Sequence, residues 1–226
     1  MKVNKAELQK ALEKVKPGLS SKELIQQSTS FAFLGGRVVT YNDEISVSHP
    51  IKDLNIEGAV KAEVLYEYLN KIKQDEIDIE CEDTQVRIVA GRSTAGLVFE
   101  HEVSLPIDEI DEVTEWKKIP QQLVKALSYC YPYCLQDMSR PILSCVHVVG
   151  NVVEATDNFQ VIRWYLDDST SLDEFLLPAR AAKELVKYDV KEISIGDSWI
   201  HFRTEDDTVF SSRTLEGKYP DISRVL

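Results

Sequence analysis

Apolar residues recur at helical spacing four times along the chain. Val3, Leu8, Leu12 and Val15 predict an amphipathic helix over residues 2–16. Val64, Leu65, Tyr68, Leu69 and Ile72 predict a second over 60–73, with those side chains turned inward. Ile119, Leu123 and Leu127 predict a third over 117–129. Ala181, Ala182 and Leu185 predict a fourth over 178–187, whose first turn suits Pro178. Between the helices the apolar period shortens to two, at Ile77, Ile79, Val86 and Ile88 and again at Ile193, Ile195, Ile200 and Phe202. That alternation predicts strands with one buried face.

The order of these patterns repeats with a period of about 115 residues. Each half opens with a helix and then turns through a glycine hairpin. Phe31-Ala-Phe-Leu-Gly35-Gly36-Arg-Val-Val matches Cys145-Val-His-Val-Val-Gly150-Asn151-Val-Val, with Gly and Asn where φ > 0 is tolerated. Each half closes on its second helix and a set of alternating strands. The acidic, glycine-free stretch Asp108 to Glu115 reads as an exposed connector. The expected fold is therefore α+β: two repeated domains, 1–116 and 117–226, each with two helices packed on antiparallel sheets.

A net charge of −12 argues at first against a nucleic-acid partner. Its distribution reverses that impression. The four predicted helical segments carry 14 basic and 5 acidic side chains, a net of +9, which leaves −21 on everything else. Basic helices with acidic strands and loops suit a protein whose helices face phosphates, because duplex DNA carries one charge per roughly 1.7 Å of axis. Lysines are also good helix formers on solvated faces, so it is the agreement of four segments that carries the point. It nominates Lys10, Lys14, Lys71, Lys73, Lys125, Arg180, Lys183 and Lys187 as DNA-facing residues.

Reactive chemistry is not evident. HExxH, GxSxG and phosphate-loop motifs are absent, and the sequence calls for no cofactor. Cys81, Cys130, Cys134 and Cys145 lack the close pairing that structural zinc or a redox dithiol requires, and read as buried free thiols. His49, His101, His147 and His201 are scattered through strand or loop patterns and read as ordinary structural histidines. No apolar run reaches the roughly 18 residues of a membrane span, which with the absence of a signal-peptide pattern predicts a cytoplasmic protein.

Three segments resemble the bacterial β-type DNA sliding clamps, the DNA polymerase III beta subunit family. They are Arg140-Pro-Ile-Leu143, Val152-Val-Glu-Ala-Thr156-Asp157 and Ser212-Arg-Thr-Leu-Glu-Gly217-Lys-Tyr-Pro220-Asp221. The resemblance is strong over residues 118–226, while residues 1–116 match mainly in helix pattern and element order. It implies a non-catalytic ring of repeated domains, helices lining a central hole and sheets forming the outer shell. Such a ring encircles duplex DNA without regard to sequence and tethers the replicative polymerase and clamp loader. By position, the resemblance adds Lys22, Gln136 and Arg140 to the DNA contacts. It also implies a pocket for a partner peptide at Leu143, Thr156, Asn158, Phe159, Gln160, Val161, Pro220, Arg224 and Val225. The family usually has Gly-His-Arg-Leu where this chain has Asn158-Phe159-Gln160-Val161, so its peptide preference should differ.

Members of that family have three such domains per subunit and close as dimers, whereas this chain ends at Leu226, where a third would begin. Two expectations follow: a segment of a longer subunit, favoured because the chain stops inside a motif that normally continues, or a two-domain clamp closing as a trimer. The rival reading is a clamp-derived module that binds polymerase or loader peptides without encircling DNA.

Overall fold

The computed structural model describes residues 1–113, 115–137, 139–167 and 172–222. Arg224 and Val225 of the expected pocket lie outside them. The chain folds as two compact units, residues 1–109 with 207–209 and residues 110–206 with 210–226.

The first unit opens with a short strand, β1 (Lys2–Asn4), and then α1 (Lys5–Val15). Asn4 starts the helix by accepting the Glu7 N–H at 3.1 Å, and Glu7 and Lys14 sit at the ends that the helix dipole favours. Leu8, Ala11, Leu12 and Val15 form its buried stripe. Strands β2 (Ser30–Leu34), β3 (Arg37–Tyr41), β4 (Ile45–Pro50) and β5 (Gly58–Lys61) lie in the order β5-β2-β3-β4. The β2–β3 hairpin turns on Gly35 and Gly36 at φ +56° and +71°, a conformation that favours glycine at both positions. Then come α2 (Ala62–Lys71) and strands β6 (Glu76–Cys81), β7 (Gln85–Ala90) and β8 (Ser93–Val98), in the order β1-β6-β7-β8.

The second unit repeats this plan. Its elements are β9 (Lys117–Lys118), α3 (Leu123–Cys130), β10 (Cys145–Gly150), β11 (Val152–Thr156), β12 (Val161–Tyr165) and β13 (Leu172–Pro178), then α4 (Ala179–Leu185), β14 (Val190–Ile195), β15 (Trp199–Thr204) and β16 (Val209–Arg213). The orders β13-β10-β11-β12 and β9-β14-β15-β16 match those of the first unit strand for strand. All the registered pairings are antiparallel.

Several helix boundaries differ from the sequence expectation. Val3 belongs to β1 and pairs with Ile77 of β6, because Asn4 starts the helix only after it. Val60 lies in β5 and Val64 is 49% exposed, while α2 buries Ala62 together with the expected Leu65 and Leu69. Ile119 lies outside α3: it precedes Pro120, which disfavours helical backbone, and its N–H bonds to the Lys191 carbonyl at 2.9 Å. In the β10–β11 turn Gly150 alone adopts positive φ.

These shifts alter the charge argument. The helices as folded carry seven basic side chains (Lys5, Lys10, Lys14, Lys71, Lys125, Arg180, Lys183) against five acidic ones (Glu7, Glu13, Glu63, Glu67, Glu184). The remaining lysines of the predicted segments sit in flanking strands and turns, so the excess belongs to helix ends and their neighbours. Lys73 and Lys187 both lie beyond their helices.

The supposed connector is also anchored. Asp111 is half-buried, and its carboxylate accepts the backbone N–H groups of Ser198 and Trp199 at 2.6 and 2.9 Å in the β14–β15 turn. Cys81 is exposed, whereas the other three free cysteines are buried. No helix among the described residues is long and apolar enough to cross a membrane.

Candidate functional site

Within the first unit α1 lies beside α2, joined by a hydrogen bond from Gln9 to Asn70 at 2.8 Å. Lys10 and Lys71 are exposed and Lys14 half-buried; Lys71 stands 3.4 Å from Glu67 one turn earlier. Lys22 is exposed in the loop after α1, at a groove of about 500 Å³ lined by Lys16, Leu19, Phe31 and Tyr66. Lys16 is already engaged there, 3.3 Å above the Tyr66 ring and 3.0 Å from Glu13. In the second unit α3 packs on α4, and Lys125, Arg180 and Lys183 are exposed. Lys125 lies 5.5 Å over the Trp164 ring, which stacks on the half-exposed Tyr129. Lys187 pairs with Glu184 at 2.6 Å. Gln136 and Arg140 are exposed in the loop that leads to β10.

Of the residues expected at the partner pocket, Thr156 to Val161 span the β11–β12 turn. Asp157 accepts the N–H groups of Phe159 and Gln160 at 2.9 and 2.8 Å, and these bonds hold its carboxyl below the usual range. Thr156 donates its hydroxyl to the Gln160 carbonyl at 2.7 Å and accepts the Asn158 N–H at 3.1 Å. Asn158 takes φ +77°, a conformation its short polar side chain tolerates. The turn is thus hydrogen-bonded throughout, while the Phe159 ring at its tip is 92% exposed. Arg140 donates to the Asn158 side-chain oxygen at 3.3 Å, so a residue expected at DNA meets one expected at the pocket. Leu143 is buried with Cys145, Leu176 and Tyr219, against Leu135, Ile142 and Leu215. Pro220 is exposed beside this cluster and Val161 is half-buried at the start of β12.

Sequence reading missed a charged cluster on the neighbouring strands. His147, 7% exposed, donates toward Glu154 at 2.8 Å through Nδ1 and toward Glu174 at 2.9 Å through Nε2. Arg163 donates to the other oxygen of Glu154 at 2.7 Å. The Tyr219 ring stacks on the imidazole, with centroids 4.6 Å apart and planes at 19°. Burial opposes charge on the ring, but the bonds to Glu154 and Glu174 outweigh it and raise the His147 pKa above the ordinary histidine value. Burial likewise opposes the Glu154 carboxylate, and the bonds from His147 and Arg163 overcome it and lower its pKa. The signal lay in the hairpin: a Gly150–Asn151 turn sets residue 147 opposite residue 154.

His201 is the contrasting case. Nearly fully buried against Ser211 at 2.8 Å, it is pushed toward the neutral form by that burial. Among the described residues no three His, Cys, Asp or Glu side chains converge as metal ligands.

No protein-family model matches the chain. The beta sliding clamp of Streptococcus pneumoniae is 25% identical over 99% of this chain and 66% of its own length. The beta subunit of the Streptococcus pyogenes DNA polymerase superposes with a TM-score of 0.83 at 25% identity, covering 100% of this chain and 67% of that structure. The chain has the fold of a β sliding clamp. A Pseudomonas aeruginosa sliding clamp bound to griselimycin shares that fold at a TM-score of 0.85 and 20% identity, over 100% and 67% of the two chains. This chain therefore spans about two thirds of the length of the clamps it resembles.

Proposed function

We propose that this protein is a sliding clamp: a non-catalytic processivity factor that encircles duplex DNA in the cytoplasm and tethers a replicative polymerase and its clamp loader. The likeness to β sliding clamps along 99% of the chain carries the reading. The surface supports it. Each unit sets two adjacent helices with exposed basic side chains, suited to weak, sequence-independent phosphate contacts. The second unit adds an apolar cluster and a projecting Phe159, suited to a short peptide. Tethering raises the polymerase's effective concentration at the primer end without new chemistry. The ring closes either as a trimer of this two-domain chain or as part of a longer subunit.

The test is topological. Once loaded, the clamp is expected to stay on nicked circular plasmid and to leave when the plasmid is linearised. Equal loss from both forms would support the rival reading, a module that binds polymerase peptides without encircling DNA. Light scattering on the eluting protein gives the subunit count of the ring.

A further inference from the structure

His147 has carboxylate oxygens at both ring nitrogens, and neither of these can donate. A neutral imidazole carries one N–H, so one of the two contacts would set a lone pair against a carboxylate. Protonating Glu154 instead is disfavoured, because Arg163 holds its other oxygen. The geometry therefore favours imidazolium. Its charge is balanced along a line that runs Arg163, Glu154, His147, Glu174.

This line adjoins the residues expected at the partner site. Tyr219 stacks on the imidazolium and shares the apolar cluster of Leu143, with Pro220 next in the chain. Upstream, Thr214 pins the same segment to β13 by donating to the Leu176 carbonyl at 2.9 Å. The segment is therefore fixed at Thr214 and again at Tyr219. Tyr219 is 5% exposed, and its ring is held between the stack on His147 and the apolar cluster.

We propose that the imidazolium of His147 is a positioning group for the partner groove: bridging Glu154 and Glu174 beneath Tyr219, it holds residues 215–222 and Leu143 in their binding arrangement. The groove loosens when the ring loses a proton. This rests on the reading of the groove as the partner site. The titratable and charged groups facing the ring are Glu154 from β11 with Arg163 of β12 behind it, Glu174 from β13 and Tyr219 from the terminal segment, which itself has the Cys134 and Cys145 thiols nearby. Burial keeps the Cys134 thiol and the Tyr219 phenol neutral, whereas the His147 ring loses its proton above the ordinary histidine value.

Griselimycin, the compound bound to the Pseudomonas clamp, is the probe. Titrated calorimetrically into this chain, it is expected to bind roughly fivefold or more weakly at pH 8.5 than at pH 6. His147→Gln, which cannot titrate, should show the weaker affinity at both. Equal wild-type affinity at the two pH values overturns the proposal. In parallel, amide hydrogen exchange of residues 215–222, corrected for the intrinsic effect of pH, follows the segment without ligand. Protection should fall at pH 8.5 in the wild type and be low at both pH values in His147→Gln; unchanged protection in the wild type also overturns the proposal. Failure of griselimycin to bind at either pH would count against the groove as partner site, while the exchange measurement still decides whether His147 holds Tyr219.

Discussion

Thr40 closes the end of α1 by donating its buried hydroxyl to the Val15 carbonyl at 2.5 Å. Gly18 makes the approach possible, since a Cβ there would stand 2.3 Å from the Thr40 Oγ1 and 2.9 Å from its carbonyl oxygen. Gly18→Ala should therefore cost about 1–3 kcal/mol through overpacking. Thr40→Val, which strands a buried carbonyl, should cost about 1–3 kcal/mol as well. Urea unfolding of both variants checks this. An unchanged midpoint for Gly18→Ala would mean that the backbone relaxes where it is described as tight.

Asp111→Ala removes one acceptor from two backbone donors in the β14–β15 turn. A loss of about 1–2 kcal/mol is expected, with faster hydrogen exchange at Ser198 and Trp199. If only remote amides respond, the connector is not anchored as described.

The titration of His147 and Glu154 sets opposite pH limits on stability. The raised His147 pKa adds stability that is fully present below about pH 6.5 and lost as pH climbs through the raised value. The lowered Glu154 pKa adds stability present above about pH 4.5 and lost as pH drops through the depressed value. Urea midpoints measured from pH 3 to pH 9 should fall at both ends, and His147→Gln should flatten the alkaline side. A variant that keeps the wild-type alkaline slope would reassign it to another group.

Much of this was written in the chain. The repeat, the two glycine hairpins and the alternating strands follow from side-chain period, which survives because one face of each strand is buried. Helix ends were less legible, since Val3 and Ile119 continue an apolar stripe at helical spacing while their backbones are extended, beside β6 and ahead of Pro120. The count of basic helices inherited that error. At the candidate site, the turn residues Thr156 to Val161 emerged from resemblance, and their hydrogen bonding could be seen only in three dimensions. Glu174 shows the limit most plainly: 27 residues from His147, it meets the ring because β13 returns beside β10.

DNA affinity should depend on the exposed helix cations. Lys10→Ala combined with Lys125→Ala and Arg180→Ala is expected to weaken binding alike on every sequence. It should also shrink the salt slope by about 0.9 for each phosphate that is no longer neutralised. The pair Lys22→Ala, Arg140→Ala should likewise weaken binding without sequence preference. Lys117→Ala, whose ammonium lies 3.7 Å from Asp173, should change little. Fluorescence anisotropy across a salt series measures all of these, and a sequence-selective effect would show the DNA-facing residues to be misplaced.

Phe159→Ser should leave folding stability within about 0.5 kcal/mol, because the ring is already in water and the turn is held by backbone and Asp157 bonds. Binding of griselimycin or of polymerase peptides should drop. Unaltered peptide affinity in a stable variant would remove Phe159 from the partner site.

The alternating charges of Arg163, Glu154, His147 and Glu174 also constrain how this chain can diverge. Replacing His147 alone leaves the Glu154 carboxylate, 5% exposed, with a single counter-charge, and replacing Glu154 alone leaves the half-buried Arg163 without that carboxylate and His147 with Glu174 as its one acidic partner. Either step crosses a fitness valley, so descendants should either keep the set intact or exchange it wholesale for apolar side chains. In a saturation library selected for folding, double replacements at 147 and 154 should therefore be recovered more often than either single one predicts.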